Sequence, residues 1–344
     1  MNKVKKGVRS ELFKRAIKII EAKIGLLSNN KSLISQPECL QEIKKTLSPA
    51  ICNLSTAIHQ YQDIEFDASL NGILLIIDEP ELMPWLSLDE DKLLIAGPLS
   101  QLEASAPDKR WTLYGNLGLL FRYSLYLLEK EKIFSFHASS IYHQEKDELI
   151  IFVGGPGSGK TALLLEGLLH QSYKLFSAEM THLKLSPQGC HFYKGALYDN
   201  IRLGTIAFDF PEIISQLSIE LPKVEDLWTT KYALNLSSFQ TPEDELINPS
   251  IILVFPRIES GKKGVSFNPK PSSHFIFRAL YQNLSEKTDQ GFLLYNHKPP
   301  FCLQRSPQML KARLDFLEKF VELPQIKRRL TLFSGVKDCW KWYE

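Results

Sequence analysis

Residues 154–161 read Gly-Gly-Pro-Gly-Ser-Gly-Lys-Thr, which sets Gly154, Gly159, Lys160 and Thr161 at the spacing of a phosphate-binding loop. The run before it, Leu149 to Val153, is apolar and rich in β-branched residues, as suits a buried parallel strand, and Ala162 to Leu169 consists of helix formers. A glycine-rich turn between strand and helix lets successive N–H groups point inward, and the helix N-terminus adds partial positive charge where phosphate oxygens would sit. Gly154, Gly155, Pro156, Gly157, Ser158, Gly159, Lys160 and Thr161 are therefore the expected nucleotide-binding residues. Lys160 is expected to reach the β- and γ-phosphates and Thr161 to hold Mg²⁺, so the ligands implied are ATP and Mg²⁺.

Upstream of this loop stands Phe136-His137-Ala138-Ser139-Ser140-Ile141, and downstream come Lys174-Leu175-Phe176-Ser177-Ala178-Glu179 and Thr181-His182-Leu183-Lys184-Leu185. The order resembles that of the HPr kinase/phosphorylase superfamily, in which a His-Gly or His-Ala strand, a hairpin, the phosphate loop, a helix and a Ser/Ala-Asp-Asp strand follow one another. Tyr198-Asp199-Asn200-Ile201-Arg202-Leu203-Gly204 is loosely similar to that family's Glu-Ile-Arg-Gly segment, and Ile251 to Phe255 to a later core strand. The resemblance covers residues 130–255. It implies an α/β fold, with a P-loop domain resembling HPr kinase/phosphoenolpyruvate carboxykinase over residues 130–344. A smaller N-terminal α+β domain is expected before it, over residues 1–129, with acceptor recognition as the role open to it.

The activity implied is ATP-dependent phosphoryl transfer to a hydroxyl, on a serine of a protein or peptide or on a small hydroxyl compound. Such a site must supply in-line positioning, Mg²⁺, fixed positive charge and a base for the hydroxyl proton. In the family the base belongs to the Asp-Asp pair; here Ala178 stands at the first position and Glu179 at the second. The resemblance thus makes Glu179, His137 and Arg202 the catalytic candidates, and Thr161, Glu179 and Asp199 the metal ligands. Ala178 cannot accept a proton, which keeps a second function open: a nucleotide-binding regulatory or assembly protein whose transfer chemistry has decayed. A third comes from Asn71 to Leu82, which resembles the Walker B strand of ABC-type ATPases through Asp78 and Glu79. There the strand follows the phosphate loop, whereas here it precedes it, so that reading needs a circular permutation; a strand ending in an Asp-Glu-Pro turn explains the same residues.

The elements that must position these residues are read from periodicity. Leu12, Phe13, Ala16, Ile17, Ile20 and Ile24 alternate with lysines and an arginine at helical spacing, which predicts one basic amphipathic helix. A second helical stretch is expected from Pro37 to Tyr61, strands at Ile73–Ile77 and Leu93–Ile95, and a buried helix from Leu113 to Leu128. Gly261-Lys262-Lys263-Gly264 reads as a hairpin tip, Ser272–Leu284 and Pro307–Phe320 as helices, and the Trp340–Tyr343 tail as packing back on the fold.

The 344 residues, 44% apolar, suffice for one large core or two moderate ones. No apolar run approaches a membrane span and no secretory signal opens the chain, so a cytoplasmic location is expected. Cys39, Cys52, Cys190, Cys302 and Cys339 lack paired spacing and read as reduced structural thiols. A net charge of +2 gives no general bias toward nucleic acid, which is not an expected partner. The expected partner is the protein, peptide or small-molecule hydroxyl acceptor, and a homo-oligomer stays open.

Overall fold

The computed structural model describes residues 11–35, 57–59, 61–221, 223, 225–289, 294–296 and 306–343. The helix expected from Pro37 to Tyr61 lies almost wholly outside the described residues, as do Cys39, Cys52 and Cys302. The architecture is mixed α/β with several sheets. In chain order, the first strands are β1 (Phe13–Ile19), β2 (Ala22–Ser28), β3 (Tyr61–Ile64), β4 (Gly72–Asp78), β5 (Trp85–Asp89) and β6 (Lys92–Gly97), followed by helices α1 (Leu99–Ser105) and α2 (Leu119–Lys130). These strands form one sheet in the order β3-β1-β2-β4-β6-β5.

Two expectations for this region are corrected. Leu12 to Ile24 is a hairpin and not a helix: β1 and β2 pair antiparallel from Phe13↔Ser28 to Ile19↔Ala22, turning at Ile20-Glu21. Burial follows the strand period, with Ile17 and Ile19 on one strand and Ala22, Ile24 and Leu26 on the other all inaccessible to solvent. Non-local pairing with β3 and β4 overrides the helical spacing. The helix expected from Leu113 begins only at Leu119, because residues 112–118 fold back on themselves through Leu119 N to Thr112 O (3.2 Å) and Leu117 N to Arg110 O (3.0 Å).

The rest of the chain supplies β7 (Ile133–Phe136), β8 (Ala138–His143), β9 (Glu148–Val153), α3 (Lys160–His170), β10 (Lys174–Ser177), β11 (Thr181–Ser186), β12 (Gly189–Tyr193), β13 (Tyr198–Arg202), β14 (Lys231–Asn235), β15 (Glu245–Ile247), β16 (Ser250–Glu259), β17 (Val265–Asn268), α4 (Ser273–Asp289), α5 (Pro307–Val321) and β18 (Ile326–Gly335). The central sheet has the order β10-β8-β9-β16-β18-β17, with β9, β16 and β18 parallel. A second sheet, β15-β12-β11-β7, and the ribbon β13-β14 complete the fold. Residues 261–264 are not a hairpin tip, a further correction, because β16 and β17 lie on opposite sides of β18 and pair with it rather than with each other.

Apolar side chains from β1, β2, β4, β6 and α2 form one core, which also takes in Met180, Tyr193 and Tyr295. Two others cover the faces of the central sheet, and Trp340 and Trp342 pack into one of them, as expected of the C-terminal tail. Arg313 on α5 ties helices together. Buried itself, it bonds to Glu129 of α2 at 2.8 Å, to Thr288 Oγ1 of α4 at 2.8 Å, and to Asp289. Cys190 and Cys339 are free and buried, and burial pushes their thiols up to about 11 and about 12. No helix among the described residues is long and apolar enough to cross a membrane.

Candidate functional site

Sheet order decides which strand ends meet. β8 is antiparallel to both β9 and β10, so β9 and β10 run the same way and end at the same edge. The loop after β9 and the Ala178-Glu179 turn after β10 therefore share the carboxyl edge, where open α/β sheets gather ligands. The loop hands over to α3 at Gly159, which takes the left-handed conformation (φ 95°). A Cβ there would also lie 2.4 Å from Ile258, so this position needs glycine on two counts. Lys160 Nζ is largely buried and donates to the carbonyls of Gly154 at 2.6 Å and Gly155 at 3.2 Å.

Around this loop opens a cavity of about 570 Å³. Its walls include residues 156–161 of the loop together with His137, Glu179, Asp199 and Arg202, so the sequence-predicted catalytic and metal candidates are brought together. Gly154 and Gly155 sit at the base of the same loop, against a separate groove shared with Phe255 and Phe275.

Three side-chain oxygens of residues that line the cavity, Ser158 Oγ, Asp199 Oδ2 and Asn200 Oδ1, are buried without a hydrogen-bond partner among the described residues. Buried polar atoms are normally satisfied, so three in one lining mark a place suited to a polar ligand or cation. Burial, reinforced by the Glu179 charge, pushes the Asp199 carboxyl up to about 7, against the opposing influence of Thr161 and Lys160. Burial also lowers Lys160, while Glu179, Asp199 and Glu286 act in the other direction. Two carboxylates and a threonine hydroxyl thus meet beside one lysine. No group of three or more His, Cys, Asp or Glu side chains is placed to hold a metal among the described residues. That donor set suits Mg²⁺, which takes one or two carboxylates and completes its shell with water and phosphate oxygens, and the orphaned Asp199 oxygen lies among those donors.

His137 is buried at the turn between β7 and β8, and its Nδ1 lies 2.7 Å from Glu286 Oε2 on α4. Lys287 Nζ is 3.3 Å from the other Glu286 oxygen. Burial, with Lys287 and Lys160 nearby, lowers the His137 pKa, against the opposing influence of Glu286 and Glu179. Nδ1–H donates to the Glu286 carboxylate, and Nε2 makes no hydrogen bond among the described residues. A base oriented by a carboxylate in this way is a recurrent device for taking a proton. His182, by contrast, is fully buried, shares a hydrogen bond with Ser135 Oγ at 2.7 Å, and does not line the cavity.

Several lining residues were not singled out by sequence reasoning. Arg110, Asn116 and Leu117 come from the segment before α2, so the N-terminal part of the chain walls the site. The tight fold-back of residues 112–118 presents them, and the Gly115 and Gly118 pair was its only trace in the sequence. Lys231 stands directly across the ribbon from Arg202. Lys287, on α4, lines the cavity as well, and Glu286 beside it bonds His137. Asp78 is elsewhere: its backbone bonds Asn29, its carboxylate accepts from Asn30 Nδ2 at 2.7 Å and Ser100 N at 3.1 Å, and it holds the start of α1 against β4. Neither Asp78 nor Glu79 lines the cavity. Comparison with protein-family models and with curated proteins finds no match to this chain.

Proposed function

We propose that this cavity binds a nucleoside triphosphate with Mg²⁺ and transfers the γ-phosphoryl group to a hydroxyl, in a domain of the HPr kinase/phosphoenolpyruvate carboxykinase kind. One observation carries the reading: the glycine-rich loop with Lys160 and Thr161, the Asp199–Glu179 carboxylates and the His137–Glu286 pair reach a single cavity from separate segments. Each answers one requirement of phosphoryl transfer.

The loop N–H groups and Lys160 hold the phosphate chain. Thr161, Asp199 and Glu179 would hold Mg²⁺, which neutralises charge on the phosphate oxygens when bound. His137 Nε2 takes the hydroxyl proton as the hydroxyl oxygen bonds to the γ-phosphorus and the bond from that phosphorus to the β–γ bridging oxygen breaks, releasing the diphosphate. Glu286 receives the Nδ1–H bond and stabilises the imidazolium. Arg202 and Lys231 supply fixed positive charge to the transferring group. Of the two roles expected for Glu179, metal carboxylate is favoured, since its charge is felt at Asp199 and Lys160.

Ala178 supports a second reading, a nucleotide-binding regulatory protein without rapid transfer: its side chain is buried, and no carboxylate replaces it on that turn except Glu179. Incubation with γ-labelled ATP and fractionated lysate separates the two. Label in a product supports transfer; label retained in bound ATP, with no product and no free phosphate, supports the regulatory reading.

A further inference from the structure

The cavity lining is chemically mixed. Arg110, Lys231 and Lys287 charge part of it, and Ile258, Val336 and Trp228 give it apolar wall, alongside Asp209 and Ser260. That wall is tied to the loop where Ile258 N donates to Ser158 O at 3.0 Å, and Ser260 Oγ donates to Asp209, next to Phe208, at 2.9 Å.

Trp228 is the outstanding feature of that wall. Its indole lies against the backbone of Gly204, where an added Cβ would come within 2.4 Å of the ring. Phe208 stacks with it, ring centroids 5.8 Å apart and planes 24° from parallel. Yet Trp228 remains 39% exposed and Phe208 62% exposed. A pre-stacked, backbone-supported pair of rings at a cavity mouth costs little side-chain entropy to engage and leaves an aromatic surface open.

We infer that Trp228 is the platform on which the base of the bound nucleotide stacks, with Phe208 holding the indole in place. The inference rests on the nucleotide reading above. A phosphate chain held by residues 156–161 shares one cavity with Ile258, bonded to the loop through Ser158, and with Trp228, so the nucleoside has an aromatic surface within the same site. Stacking accepts any base, because every base has a π-face.

The test compares Mg-ATP with Mg-tripolyphosphate, which carries the same phosphate chain without a base. In calorimetric titrations Trp228→Ala should weaken Mg-ATP binding about 5- to 100-fold, the range of base–aromatic stacking, and leave tripolyphosphate affinity unchanged. Trp228→Phe should retain most of the ATP affinity. Should Trp228→Ala fail to fold, the same comparison is made with Trp228→Phe by fluorescence: Mg-ATP should quench the wild type more than Mg-tripolyphosphate does, and that excess should vanish in the variant. ATP affinity indifferent to Trp228, as when the ring contacts the acceptor instead, overturns the inference alone. A parallel loss of both ligands overturns it too, by showing a distorted loop. If the wild type binds neither ligand, the nucleotide reading itself falls and takes this one with it.

Discussion

Asp199 is the most informative single substitution. Its carboxyl is buried beside Glu179 and rises from 3.8 to about 7, which at about 1.36 kcal/mol per unit corresponds to at most about 4 kcal/mol. The sign follows from proton binding. Between these two values the folded state holds a proton that the unfolded state has lost, so stability falls as pH rises through this window and is flat above it. Asp199→Asn keeps the shape and removes the charge. Measured by urea unfolding, the variant should exceed the wild type by roughly 2–4 kcal/mol at about pH 8, a midpoint shift on the order of 1 M, with the gap closing toward about pH 4. Mg²⁺ added at about pH 8 should stabilise the wild type more than Asp199→Asn, which keeps Glu179 but has lost the second charged ligand. Identical pH profiles for the two proteins, or a variant less stable at about pH 8, would refute the argument.

Three other outcomes are expected. His137→Asn should lower phosphoryl transfer about 100- to 10,000-fold with nucleotide affinity kept, and wild-type transfer should decline on the acid side only below the usual histidine range, since burial lowers the His137 pKa; steady-state kinetics across pH checks both. Asp78→Asn should loosen α1 and cost about 1–2 kcal/mol of stability in thermal or urea unfolding while leaving transfer within about threefold; a collapse of transfer in a folded protein would bring back the permuted ATPase. Arg313→Met, which takes the guanidinium from buried Glu129, should cost about 3–5 kcal/mol, and near-wild-type unfolding would contradict the buried cluster.

The local elements of the candidate site were more legible in the sequence than the scaffold around them. The phosphate-loop spacing, the strand before it and the helix after it are all local features, and the structure has β9, the loop and α3 in that order. That Glu179 would reach the loop also followed, because a helix returning along a sheet must bring the next strand to the same edge. The Leu12–Ile24 hairpin did not, for a physical reason. Its turn is Ile20-Glu21, and Ile20 adopts φ 56°, a conformation a β-branched residue rarely takes, so no glycine or asparagine announced it. Lysines at 14, 18 and 23 meanwhile imitated the polar face of a helix. Contributions that depend on tertiary folding left still less trace: Arg110 reaches the cavity from a segment far from the loop in sequence, and Glu286 reaches His137 only through the packing of α4.

The measurement that bears most directly on the central claim is calorimetric titration of Mg-ATP into wild type and Lys160→Ala. Lys160 is the loop's single cation, and charge-assisted contacts to phosphate are worth roughly 1.5–3 kcal/mol. Saturable binding to the wild type, weakened about 10- to 100-fold in the variant, is the result expected. Equal affinities, or no binding by the wild type, would contradict a nucleotide site at residues 154–161 and with it the transfer chemistry built upon it.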